Sequence, residues 1–301
     1  MKQRILLFLL VLLSTLTASA YDAEIDGIYY NLNASTMEAE VVSPGSTRYT
    51  GSVKIPESIT YEDVTYSVTS IGDRAFRNCS DLTSVIIPNS VTEIRSGTFQ
   101  GCTSLTSITI PDGVMSIGNS SFYGCFSLEL VIIGNNVTSI GKHAFDNCQS
   151  LKSVTIGKSV TSIGESAFAL CFSLTSMTIG NSVTSIGERA FQMCEGLKDV
   201  YCYAESIPTT DEHTFDGAAL PSATLHVPAS SLETYKATSP WSGFSTIIAL
   251  TDEEMPVKGI NSKDVVIEKV YNLSGRQLRQ GRKGVNILRY GNGKARKVLV
   301  K

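Results

Sequence analysis

Residues 105–127 read LTSITIPDGVMSIGNSSFYGCFS, and the fold follows from this segment and its copies. Its opening Leu-x-x-Ile-x-Ile is a strand pattern that points Leu105, Ile108 and Ile110 to one side. Pro111-Asp112-Gly113 makes a tight corner, and Gly134, Gly157 and Gly180 replace the proline in later copies. Val114-x-x-Ile117 is a second short extended piece, which Gly118 closes. Ser121-Phe122-x-x-Cys125 then reads as one helical or 3-10 turn, with Phe and Cys three apart on one side.

The same signs recur every 23 residues: Phe76, Phe99, Phe122, Phe145, Phe168 and Phe191; Cys79, Cys102, Cys125, Cys148, Cys171 and Cys194. Leu82 to Leu197 and Ile71 to Ile186 keep the same step. A fixed period of this size marks stacked units, none of which buries its apolar side alone. The expected fold is a repeat solenoid, mostly β, with parallel sheets, helical or 3-10 corners and a spacing of about 4.8 Å per rung. Phe, Cys, Leu and Ile then form continuous inner columns.

The repeat has the pattern of leucine-rich repeats. The segment Val183-Thr-Ser-Ile-Gly-Glu-Arg-Ala-Phe191, continuing to Cys194 and Leu197, resembles the 23-residue BspA-like class of bacterial surface proteins. The resemblance is strong over residues 66–202 and implies a curved right-handed solenoid with a role in adhesion or recognition at the cell surface. No catalytic residues, cofactor or metal are expected.

The ends divide the chain further. Lys2 and Arg4 precede an apolar run over residues 5–13, and Ala18-Ser19-Ala20 suits signal peptidase, so residues 1–20 read as a signal peptide. Export to the cell surface or beyond follows, and the resemblance of the C-terminal segment, given below, implies a Gram-negative outer surface. Residues 21–65 read as an N-terminal β cap, with a hairpin from Gly27-Ile-Tyr-Tyr30 and Ala39-Glu-Val-Val42 and a degenerate strand at Val53-x-Ile55. Residues 203–250 read as a fading repeat and C-terminal cap. There Phe215 comes 24 residues after Phe191, Leu225-His-Val227 is a strand, and a helix covers about residues 231–238. Trp241 and Phe244 have the size to close the apolar end. Residues 251–264 are a linker. Residues 265–301 alternate as short strands and form a small β module. Its Tyr271-Asn-Leu-Ser-Gly-Arg276 start and Lys297-Val-Leu-Val-Lys301 finish resemble the C-terminal sorting modules of type IX secretion; the plainer reading is an accessory β domain.

Charge narrows the partners. Residues 21–262 hold 12 basic and 26 acidic side chains, net −14, whereas residues 263–301 hold 11 basic and 2 acidic, net +9. An acidic body discourages nucleic acid, which needs a basic face. Seven cysteines in an exported chain invite disulfides, but a cysteine repeated at an inward position is a small apolar filler, so free buried thiols are favoured. No CxxC or Cys/His spacing suits zinc. His143 stands in an exposed column with Arg74, Gly97, Ser120, Ser166 and Arg189, His213 lies in a loop, and His226 alternates outward on a strand. None has a catalytic neighbourhood.

The face between the inward strand residues carries the binding expectation. Most outward positions are Ser or Thr, but Leu130 and Ile132, with Ile86 two rungs earlier, place apolar side chains there. Glu129, Lys152, Lys198, Asp199 and Tyr201 would rim them, as in a recognition patch. At the corners, Tyr123, Phe126 and Phe172 add aromatics absent from other copies; they either pack between corners or form a second binding face. The sequence therefore predicts a monomeric, non-catalytic surface protein that binds a host or bacterial surface or extracellular protein through the sheet face. The alternative is a carbohydrate-binding or envelope/matrix structural protein.

Overall fold

This computed structural model describes residues 21–45 and 47–251, and beyond them the strands Ile267–Tyr271, Gln277–Leu278, Gly284–Tyr290 and Ala295–Val300. The predicted leader and nearly all of the predicted linker lie outside the described residues. The chain forms two compact units, one ending at Leu250 and one spanning Thr251–Lys301.

The first unit is the solenoid that the period predicts, and each rung contributes one strand to each of two parallel walls. The face sheet runs in the order Thr246–Ala249, Thr224–Val227, Asp199–Cys202, Ser176–Ile179, Ser153–Thr155, Leu130–Ile133 and Ser107–Ile110. Gly51–Lys54 and Leu82–Ile86 form a separate parallel pair, so Val53 does belong to a rung before the first full repeat. The back sheet takes the two-residue strands Glu93–Ile94, Ser116–Ile117, Ser139–Ile140, Ser162–Ile163 and Ser185–Ile186. Register holds at 23 throughout, as in Ile108 beside Val131 and Ile117 beside Ile140. One face is therefore buried and the other wet at every rung.

The corners form a third wall. The amides of Ser120, Phe122 and Gly124 donate to the carbonyls of Lys142, Ala144 and Asp146 on the next rung, at 2.8, 2.7 and 2.9 Å. Within one rung, Cys125 N–H donates to Phe122 O at 3.2 Å, the i to i+3 bond of a 3-10 turn. Two left-handed residues per rung stop that turn from becoming a helix: Ser120 (φ 53°) and Gly124 (φ 68°), then His143 (φ 53°) and Asn147 (φ 61°). The column that holds His143 is therefore set by backbone conformation. The glycines that close the second strand have another cause. A Cβ at Gly141 would lie 2.7 Å from the backbone of Gly118 and Asn119, so rungs touch there main chain to main chain.

Inside, the six phenylalanines are fully buried and stacked, with centroids 4.9–5.7 Å apart from Phe76 to Phe191. Each buried ring is worth about 1.5–3 kcal/mol of transfer free energy, and ring pairs add about 0.5–1.5 kcal/mol. Tyr49 starts the column and Phe215 continues it, absorbing the 24-residue step; Trp241 then closes it edge-on at 5.3 Å. All seven cysteines are free and buried. The filler reading omits one thing. Each thiol from Cys102 to Cys194 donates to the phenylalanine carbonyl of the rung before, at 3.0–3.4 Å. Burial pushes Cys125 and Cys194 up to about 12, so these thiols are neutral donors and poor nucleophiles.

The N-terminal cap contains the expected hairpin, Ile28–Asn33 with Glu38–Val41, extended by Ala23–Ile25 into a three-stranded meander. Glu38–Val41 then joins Val64–Ile71 in parallel and so continues the back sheet. Arg95 ties this cap to the rungs through Glu40 at 2.7 Å. The C-terminal cap has the expected strand Thr224–Val227 and helix Leu232–Ala237. The second unit is a four-stranded antiparallel sheet.

Candidate functional site

The face sheet presents three outward columns. Hydrogen-bonded register sets Leu130 between Ser107 and Ser153, and Ile132 between Thr109 and Thr155. Both apolar side chains are half-buried among short hydroxyl residues. Glu129 and Lys152 stand beside them in the third column, and Lys152 Nζ reaches Glu129 Oε2 at 2.7 Å. Both members of this pair are more than half exposed, so it contributes little to stability and serves as an orientable polar edge. Leu130, Ile132, Glu129 and Lys152 therefore form one contiguous patch.

The other expected rim residues do not join it. Thr175, Ser176 and Thr178 occupy the intervening rung, and Lys198, Asp199 and Tyr201 lie beyond it. Tyr201 instead stacks on His226 with centroids 4.3 Å apart, and His226 Nε2 lies 3.2 Å from Asp199 Oδ1. His226 does alternate outward on its strand, but it is buried rather than displayed. The sequence signal for this group was the extra residues after Phe191, which move His226 into the Tyr201 column.

Ile86 also belongs elsewhere. It is 55% exposed, but its strand pairs with Gly51–Lys54 outside the seven-stranded sheet. It sits on the rim of an open cleft of about 1140 Å³ in the N-terminal cap, with Tyr29, Arg48, Lys54 and Ile59 among its walls. Periodicity gave no signal for this cleft, because it arises where the meander departs from the repeat.

At the corner wall, Tyr123 and Phe126 are exposed and Phe172 is half-buried. One rung after Tyr123, His143 Nδ1 lies 2.9 Å from Asp146 Oδ2. His213 and Asp216 repeat this arrangement at 2.9 Å. Burial raises the Asp146 pKa, opposed by the hydrogen bond and charge of His143, whereas the hydrogen bond to Asp216 raises that of His213. No serine hydroxyl is bonded to either ring among the described residues, so neither dyad is extended into a nucleophilic triad. Among the described residues no group of three His, Cys, Asp or Glu could hold a metal ion, and no helix is long and apolar enough to cross a membrane.

Comparison with known proteins agrees with this geometry. The BspA type leucine rich repeat region, in six copies, matches residues 52–171 and 116–237. The solved leucine-rich repeat protein of Treponema pallidum is similar at 28% identity and TM-score 0.53, covering 59% of this chain and 81% of that one. A leucine rich cell surface protein from Faecalibacterium prausnitzii is 20% identical with TM-score 0.37, covering 76% of this chain and 95% of that one. No match was found among curated proteins. With more than half of its residues inside the matched repeats, the chain belongs to the BspA-type leucine-rich repeat family.

Proposed function

We propose that this protein is an exported, non-catalytic surface protein that binds a protein partner through the face sheet. The observation that carries this reading is the patch of Leu130, Ile132, Glu129 and Lys152 in otherwise hydroxyl-bearing columns. A solenoid wall displays side chains without enclosing a pocket, which suits a broad partner better than a small substrate. Leucine-rich-repeat solenoids are typically interaction scaffolds, and bacterial proteins of this type are typically found at the cell surface. The apolar pair gives an interface centre, and the exposed ion pair gives a rim that selects orientation. The cluster of Lys198, Asp199, Tyr201 and His226 is a second contact region on the same wall, two rungs or more from Lys152.

The C-terminal unit serves export in this reading. The small β sheet of this unit is consistent with the resemblance to type IX sorting modules, and the net charge of residues 263–301 is opposite to that of residues 21–262. The function is tested by immobilising a panel of host and bacterial extracellular proteins and measuring binding by surface plasmon resonance. The reading expects saturable binding that the double variant Leu130→Thr/Ile132→Thr weakens at least about tenfold. Binding that the double variant leaves unchanged would remove the patch from the interface.

A further inference from the structure

The corner wall holds a second constellation that the face-sheet reading does not use. Its backbone is shared by every rung, yet only the rungs of Phe122 and Phe168 decorate it with added aromatics, Tyr123, Phe126 and Phe172. Tyr123 is 38% and Phe126 43% exposed, both among the most exposed large apolar side chains described. Phe126 leans over Gly124, where a Cβ would meet its ring at 3.9 Å. Phe126, Gln149 and Phe172 hold the same place in three successive rungs. At about 4.8 Å per rung, the two aromatic positions stand about 10 Å apart, with an amide between them.

The polar groups beside these rings are planar and fixed. Gln149 Nε2 donates to Asn147 Oδ1 at 2.9 Å. His143 is held through Nδ1 by Asp146, which leaves its other nitrogen as the ring's second polar edge. Asp146 is only 8% exposed, and its Oδ1 has no hydrogen-bond partner among the described residues. That oxygen lies below the surface, so Asp146 acts here by holding the His143 ring through Oδ2. The exposed lysine beside the rings is already paired, Lys142 with Glu165 at 2.9 Å. The corner therefore offers an anion no attraction, and the acidic body repels polyanions.

We propose that the corner around Tyr123, Phe126, His143, Asp146, Gln149 and Phe172 binds an extended, neutral, β-linked oligosaccharide. Sugar rings present C–H faces that stack on aromatic rings, and hydroxyl edges that bond to amides and imidazole. The constant step from rung to rung suits a ribbon-like glycan and not a coiled one. The spacing of Phe126 and Phe172 is close to the repeat of two linked sugar rings in such a ribbon, so alternate rings would stack while Gln149 meets the hydroxyls between. The site is separate from the face sheet and is independent of the proposed protein partner.

The test is isothermal titration calorimetry of the full chain with cellohexaose and xylohexaose, using maltohexaose as the coiled control. Saturable binding of at least one extended hexasaccharide is expected, with its disaccharide about tenfold weaker and maltohexaose inert. Phe126→Ala/Phe172→Ala should lose at least about tenfold in affinity, whereas Phe126→Tyr should keep it. Circular dichroism and Tm on each variant exclude loss of fold as the cause, and Leu130→Thr/Ile132→Thr should bind glycan as the wild type does. Binding to neither extended hexasaccharide would overturn the proposal. So would equal binding of the coiled glycan, or full affinity in the doubly substituted corner.

Discussion

The face wall and the corner wall run side by side along the same solenoid, and they constrain sequence in opposite ways. On the face, only the inward positions are fixed by the core, so the outward positions accept Thr, Ser, Leu, Ile, Glu, Lys or Tyr with no change in the ladder. At the corner, each rung needs two left-handed residues and passes the next rung in backbone contact. Side-chain identity there answers to conformation first. A departure on the face is cheap and free to carry binding, whereas the corner's repeated residues report architecture and only its added aromatics need another reason.

The largest effects should come from what both walls share. Phe145→Ala removes a ring stacked on two neighbours in the middle of the column, and we expect a loss of about 3–5 kcal/mol in urea unfolding. A loss below about 1 kcal/mol would show that the column is not what joins the walls. Gly141→Ala comes next, at about 2–3 kcal/mol, because its Cβ would stand 2.7 Å from the neighbouring rung's backbone. Gly124→Ala should cost less, about 1–2 kcal/mol, since its Cβ meets only Phe126 and the penalty is that of a left-handed alanine. Equal costs at the two glycines would erase the distinction drawn between close approach and backbone conformation. On the face, Leu130→Thr/Ile132→Thr should shift stability by about 1 kcal/mol or less, because the pair is half-buried and threonine suits a strand.

Two chemical probes are gentler still. Raised thiol pKa values and full burial predict that Ellman's reagent at pH 8 leaves all seven cysteines unmodified until the rungs open. Rapid labelling of any ladder cysteine in folded protein would contradict the packed column. His213 has its pKa raised by the Asp216 hydrogen bond. Its pairing therefore favours the fold most below the ordinary histidine range and fades as pH climbs through the raised value. Asp216→Ala should bring the His213 NMR titration back down, with little effect on Tm because the pair is exposed.

Much of this was legible in the sequence, for a physical reason. A column buried at every rung must repeat, so Phe, Cys, Leu and Ile announced the core and its spacing. Trp241 was readable as a plug because an open column needs one. Surface grouping was less legible. Ile86, Lys198, Asp199 and Tyr201 looked like neighbours of Leu130 in a flat listing of outward residues, but one rung of hydroxyls and a break in the sheet separate them. The Cys-to-carbonyl bonds and the glycine contacts were hidden for a different reason. They depend on how close two backbones pass, and a period states only that they pass at a constant distance.

The central claim is that the face carries recognition while the shared column carries stability. The most direct test is a paired measurement on the full chain and its Leu130→Thr/Ile132→Thr variant: binding to the extracellular protein panel by surface plasmon resonance, and Tm by circular dichroism. The account predicts a loss of about tenfold or more in affinity with Tm almost unchanged. Unchanged affinity at unchanged Tm would contradict it.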